Sequence, residues 1–162
     1  MYIPASFRVD DRSTLFQFVD TYDFAVVITD GTAGLVATHV PLVLDRGRET
    51  LLGHVARANP HWRDFDGTRE AVAIFQGPHA YVSPTWYGHH PSVPTWNYAA
   101  VHVYGHPRIV EDPSRTDAII ELLVERQEER NGSSWSAGSL PAKFRDSMRA
   151  ALVAFELPID RL

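Results

Sequence analysis

Eight histidines occur in 162 residues, and there is no cysteine. Imidazole ligates metals and changes its charge near neutral pH, so these histidines stand out in a chain of this size. His39 and His54 fall in two neighbouring strand-like segments, LVATHVPLVL at 35–44 and TLLGHVA at 50–56. With Asp45-Arg46-Gly47-Arg48 as a four-residue loop, Leu44 and Glu49 close the hairpin. Proline cannot donate to a ladder, so Pro41 suits a non-hydrogen-bonded site, here opposite Leu52. The same register sets His39 opposite His54, with Cβ atoms about 4.5–5.5 Å apart. Two imidazoles so placed can hold a metal, meet a haem edge or bond a polar group of a flavin. They can equally be a hydrogen-bonded pair with no ligand. His102 and His106 share a strand face roughly 13 Å apart, too far to share one ion. His89-His90 stands in a Gly/Pro loop, as solvated residues, as part of a lid or as axial haem ligands.

The segment His54-Val55-Ala56-Arg57-Ala58-Asn59-Pro60 reads as a strand end, a polar turn and a helix start. Free N–H groups at a helix start favour an anion. Arg57 adds a bidentate phosphate donor beside them. Asn59 can cap the helix or reach a ligand, and a capped helix with a surface arginine would use the same residues. Trp86 and Trp96 bracket the loop YGHHPSVP, with Tyr87 and Tyr98 close by. Such aromatic density suits a pocket for a planar ligand, or a small aromatic core under the loop. No GxSxG, HExxH, GxGxxG or GxxxxGK[ST] pattern occurs, so no catalytic triad or usual nucleotide-binding loop can be argued, and no catalytic residue can be chosen.

Strands and short helices must position these groups. Leu15, Phe18, Val19 and Tyr22 fall at helical spacing, with Asp10 or Asp11 as the cap. FAVVIT at 24–29 is a β-branched strand. EAVAIFQ at 70–76 and HAYVS at 79–83 are strands around Gly77-Pro78, and AAVHVYGHPRIV at 99–110 is the last long strand of the set. Pro113 opens a helix with Ile119, Ile120, Leu123 and Val124 on one face. Pro141 opens another with Phe144, Met148, Ala151 and Leu152 on a stripe. Both stripes read as core packing. LVAFELPI returns as a strand. The sum is one domain, residues 1–162, mainly β (α+β): a six- to seven-stranded antiparallel barrel with peripheral helices. The segment 35–44 is apolar on both faces, and such a strand is covered on both faces. A homodimer is the simplest cover.

Composition narrows the function. Hydrophobic residues make up 44% and charged residues 22%, which excludes disordered and collagen-like classes. The absence of cysteine removes disulfides, thiolate zinc sites and iron–sulfur clusters. The net charge of −5, with Lys143 the one lysine, does not support direct nucleic-acid binding. No apolar run spans a membrane, and MYIPASFRVDDRS lacks the pattern of a signal peptide, so a cytoplasmic protein is expected.

Five segments in one order carry a resemblance: MYIPASF at 1–7, ATHVP at 37–41, LLGHVARANPHW at 51–62, FQGPHAYVSPTWY at 75–87 and VPTWNYAAVHVYG at 93–105. VAFELPI at 153–159 also fits. The chain resembles the PaiB-type family of FMN-binding split barrels, labelled negative transcriptional regulators. The resemblance implies a split β-barrel, a homodimer and FMN at the subunit interface. It implies a phosphate site at Arg57, Ala58 and Asn59, with Thr38, His39, Val40 and Pro41 running beside the flavin ring system. His54, Gln76, Tyr81, Ser83, Trp96 and Asn97 complete the candidate set. Family members carry a longer loop between WY and VPTWNY, often with a lysine, where this chain has GHHPS. They also continue past the LPI strand with a basic tail, where this sequence reads to Leu162.

Three functions are compatible with these residues. The first is flavin-dependent redox chemistry on a small molecule. The second is a haem-binding or haem-degrading protein with His39, His54, His89 or His90 as axial ligands. The third is a cofactor-sensing regulator that acts through a protein partner.

Overall fold

The computed structural model describes residues 2–32 and 34–162. Helix α1 (Arg12–Thr21) starts at Asp11, whose carboxylate accepts from Thr14 N at 2.8 Å. Strand β1 (Phe24–Gly31) follows, then β2 (Gly34–Pro41), β3 (Val43–Asp45) and β4 (Thr50–Ala56). After a 3-10 turn at Pro60–Asp64 come β5 (Ala71–Val82), β6 (Thr95–Gly105) and β7 (Arg108–Ile109). Helices α2 (Pro113–Arg130) and α3 (Ala142–Ala150) precede the last strand, β8 (Leu152–Pro158).

The strands form two antiparallel sheets of four, in the orders β2-β1-β5-β6 and β3-β4-β8-β7. Alternation sets their faces. Ala25, Val27 and Thr29 of β1 and Ala71, Ala73 and Phe75 of β5 point inward and are buried. Leu51 and Val55 of β4 and Val153, Phe155 and Leu157 of β8 meet them from the other sheet. Each such large apolar side chain stabilises the fold by about 2 kcal/mol relative to exposure. A second, smaller core lies on the far face of the second sheet, where Ile119 and Leu123 of α2 cover Val43, Leu52 and Ala154.

The described residues form eight strands where six or seven were expected. The segment expected as one strand at 35–44 breaks at Leu42, which is buried and whose N–H donates to Asp23 O at 2.8 Å. There the chain leaves one sheet for the other. β2 therefore pairs with β1, and only β3 pairs with β4. His39 faces Val26, and His54 faces Ala154, so the expected His39–His54 pair does not form. The hairpin register also shifts. Asp45 pairs with Thr50, because Glu49 takes a left-handed φ of 46° and belongs to the loop. The last long segment likewise divides into β6 and β7 after Gly105. The two strands expected around Gly77-Pro78 are one, with a register shift between Gln76 and His79.

The α3 stripe is a further correction. No residue of α3 is buried, and Phe144 and Met148 are exposed, so this stripe does not enter the core.

Candidate functional site

Thr38 lies in β2 opposite Val27, on the inward face of the first sheet and near its edge. Its Oγ1 is 2.8 Å from His61 Nδ1 and 3.2 Å from Asn59 Nδ2, which donates to it. The other ring nitrogen of His61, Nε2, is 2.8 Å from Thr29 Oγ1. His61 and Thr29 are buried, and the imidazole packs on Phe65 with ring centroids 4.8 Å apart. Burial lowers the His61 pKa against an opposing pull from Asp64, so the ring is neutral at ordinary pH.

The local sequence explains why His61 points there. Asn59 is extended, and its Oδ1 accepts from His61 N at 3.1 Å. Pro60 has no N–H and a fixed φ, which starts the 3-10 turn. Trp62 Nε1 donates to Arg57 O at 3.0 Å and closes the turn from behind. The turn is only five residues long, and Asn59 already occupies its first available N–H. The helix start expected for an anion is thus a short 3-10 turn whose His61 N–H Asn59 already takes. Asn59 holds neighbours in place with both ends of its amide.

Arg57 is exposed but partly engaged. Its Nε donates to Ala150 O at 2.8 Å and its Nη2 to Leu152 O at 2.9 Å. This places a cation on the last carbonyl of α3, the negative pole of that helix, and on the first carbonyl of β8. Nη1 has no partner among the described residues. Ala58 is exposed beside it.

The other candidates separate from this group. Val40 has its side chain in the core, so only its backbone can meet a ligand. Pro41 ends β2 opposite Phe24. His39 is on the outward face and lies over the Phe24 ring at 6.2 Å. His54 shares its face with Leu52, on the α2 side of the second sheet. Its Nδ1 is buried without a partner, and burial lowers its pKa.

Gln76, Tyr81, Trp96 and Asn97 lie along the β5–β6 pair. β1 pairs with β5 only over Ala71–Ile74, so the rest of β5 and its partner project as a two-stranded arm. Tyr81 faces Trp96 with ring centroids 5.7 Å apart, and His79 lies 6.4 Å from the same indole. Tyr81, Trp96 and Tyr98 are all exposed on this arm. Ser83 Oγ caps the short turn Pro84–Trp86 by accepting from Thr85 N at 3.3 Å. His89 and His90 are exposed in the following loop.

Thr38 and Asn59, expected at two different parts of a flavin site, are hydrogen-bonded to each other here, and sequence reasoning passed over their partners Thr29 and His61. The only hint was Asn-Pro-His itself, since a capping Asn fixes the direction of the residue two places on.

Two clefts open elsewhere. One of 570 Å³ is lined by Trp62, Arg63, Phe65, Asp66, Arg108, Ile109 and Glu111. Another of 520 Å³ lies between α1 and α2. Thr38 lines neither.

The architecture, two four-stranded antiparallel sheets around one core, defines a class shared with flavin- and haem-binding proteins. The flavocytochrome Anf3 of Azotobacter vinelandii superposes with a TM-score of 0.70, at 12% identity, over 98% of this chain and 69% of that one. The FAD and haem binding protein of Mycobacterium smegmatis superposes at 0.68, with 17% identity, over 93% of this chain and 67% of that one. At these identities the likeness shows the fold alone. In sequence, residues 1–161 match the family model described as "Putative FMN-binding domain", and the chain belongs to that family. The protease synthase and sporulation protein PAI 2 of Bacillus subtilis is 33% identical over 99% of this chain and 77% of its own length. FMN is thus the cofactor against which the site is matched.

Proposed function

We propose that this chain is an FMN-binding split-barrel protein that works as a homodimer, with each flavin held between two copies. The observation that carries the reading is the division of the candidate residues. Thr38 and Asn59 meet at one rim, with Arg57 two residues along the same turn, while Tyr81, Trp96 and Tyr98 stand exposed on the arm. Between them lies the outward face of the first sheet. Its centre is Val26, Ile28, Val72 and Ile74, with Ala37 and Leu35 toward one edge. An apolar face flanked by exposed aromatics marks an interaction surface. A second copy is its natural occupant, because a two-fold axis through such a face joins identical patches and brings one rim toward the other arm.

The residues present suit FMN. The rim offers the Thr38 hydroxyl and Arg57 Nη1 as donors to an anionic or carbonyl acceptor, and the arm offers flat aromatic surface to an isoalloxazine ring. Bound FMN supplies hydride or electron transfer, and the chain supplies binding and orientation. Bridges Asp66↔Arg108 and Tyr104↔Arg161 tie the sheets at their ends and support closure into a split barrel.

An absorption spectrum after loading with FMN and desalting tests the reading. Retained flavin bands, on a species twice the mass of the chain, are expected. A Soret band with haemin and no retained flavin would replace FMN by haem. Retention of neither would overturn the cofactor reading.

A further inference from the structure

The number of protons fixes the direction of the Thr29–His61–Thr38 chain. Thr29 Oγ1 is buried, and His61 Nε2 is its hydrogen-bond partner among the described residues. Were Nε2 protonated it would donate to Thr29, and the Thr29 proton would be left without an acceptor among the described residues in a buried site. Thr29 therefore donates, and Nε2 accepts. The neutral ring then carries its proton on Nδ1 and donates to Thr38 Oγ1 at 2.8 Å. Asn59 Nδ2 donates to the same oxygen at 3.2 Å. Both acceptor positions of that hydroxyl are taken, and its own proton has no acceptor among the described residues. Thr38 is half-buried at the rim, so the proton can be offered to a ligand. Asp64 is the titratable neighbour of His61, and Arg69 engages it at 2.7 Å, which keeps it off the imidazole.

We infer that His61 is a positioning residue that locks the Thr38 hydroxyl as a hydrogen-bond donor to an acceptor atom of the bound flavin. This rests on the FMN reading above. The buried histidine touches no ligand. It makes Thr38 a committed donor rather than a rotor that could also accept, which favours a phosphate or carbonyl oxygen over an N–H group at that point.

Two measurements test the inference, and the first needs no flavin. A long-range proton–nitrogen NMR spectrum of the unliganded protein should show His61 neutral, with the proton on Nδ1 and Nε2 bare. A proton on Nε2 would overturn the inference whatever the protein binds. The second is titration of FMN and of riboflavin, followed by flavin fluorescence. Thr38→Val should weaken FMN roughly tenfold, the scale of one hydrogen bond to a charged or strongly polar acceptor. Thr38→Ser should restore it. His61→Gln should weaken binding by a similar factor, and the double variant should bind no more weakly than Thr38→Val alone. Additive losses would show that His61 acts otherwise than through Thr38. Loss with FMN alone places the acceptor on the phosphate, and equal loss with riboflavin places it on the rest of the flavin. No loss with either overturns the donor role. Failure of wild-type protein to bind FMN, with the Nδ1 tautomer present, would fault the cofactor reading and leave the hydrogen-bond lock standing.

Discussion

Glu156 sits in β8 with its carboxylate 7% exposed and three arginines around it. Arg115 Nε donates to it at 2.9 Å, Arg48 at 3.2 Å and Arg108 at 3.5 Å. Burial is the largest single influence on its pKa and raises it. The Arg115 hydrogen bond and the charges of Arg48, Arg115 and Arg108 together outweigh burial and hold it below the ordinary carboxylate value of 4.5. A depressed folded pKa contributes stability above the unfolded pKa and loses it as pH falls through the folded one. Glu156→Gln should therefore destabilise the protein by about 2 kcal/mol near neutral pH, since it leaves three converging cations without their anion. The difference from wild type should fade as pH falls below the ordinary carboxylate value of 4.5 and through the lower folded pKa, and urea unfolding at several pH values checks this. An equal difference at acid pH would assign the effect to packing instead. None of this was legible in the sequence, where Glu156 is one polar letter in a strand and its partners lie 41 to 108 positions away. His61 was missed for the same reason: burial is a property of what folds over a residue.

At the scale of elements, the local signals worked. A β-branched run marked β1, the cap of α1 fell on Asp11 of the two aspartates expected there, and Pro113 opened α2 at its first residue. What periodicity cannot show is where a strand changes sheet. Leu42 and Gly105 are two such corners; a proline stands close to each, Pro41 and Pro107, but a proline marks a break without showing that the chain crosses to the other sheet. Gly105 is there because β6 passes against the end of β8. A Cβ at that position would stand 1.9 Å from Pro158 O, a backbone atom that cannot swing away. Gly105→Ala should cost about 3 kcal/mol, at the upper end of overpacking penalties. Gly88→Ala, where nothing lies within 4 Å, is the control and should change stability by less than ~0.5 kcal/mol. Thermal unfolding of both variants checks the corner; a Gly105→Ala protein as stable as wild type would mean that β6 does not approach β8 so closely. The α3 stripe failed differently. Helical spacing predicts an apolar face but not what covers it, and here Arg57 fastens the end of the helix while Phe144 and Met148 stay exposed.

The whole molecule returns to the two-sided character of β2. Its inward face enters the core at Val40, while Leu35, Ala37 and His39 are exposed on the other side. Across the sheet, His39, Val26, Ile74 and His102 form one row, and Ala37, Ile28, Val72 and Tyr104 the next. His39, His102 and Tyr104 thus border an apolar centre on three of its four corners, as polar rims border the dry middle of interfaces. Val72 lies in that centre, between Ile28 and Tyr104. It is half-buried in the single chain, so a carboxylate there can reach solvent in a monomer but would be trapped against its own copy across a two-fold axis. On the homodimer proposed above, Val72→Glu should therefore shift sedimentation from about 36 kDa, twice the 18.2 kDa chain, to the single mass, with far-ultraviolet circular dichroism unchanged. Leu122→Glu, on the exposed part of α2, should leave the mass at the dimer value. If rim and arm meet only across this face, the monomer made by Val72→Glu should also lose FMN by at least ~100-fold, although neither Thr38 nor Trp96 has been touched, because a site divided between two chains loses half its contacts when they part. A monomer that kept its flavin would place the whole site on one chain and leave the apolar face to a different partner.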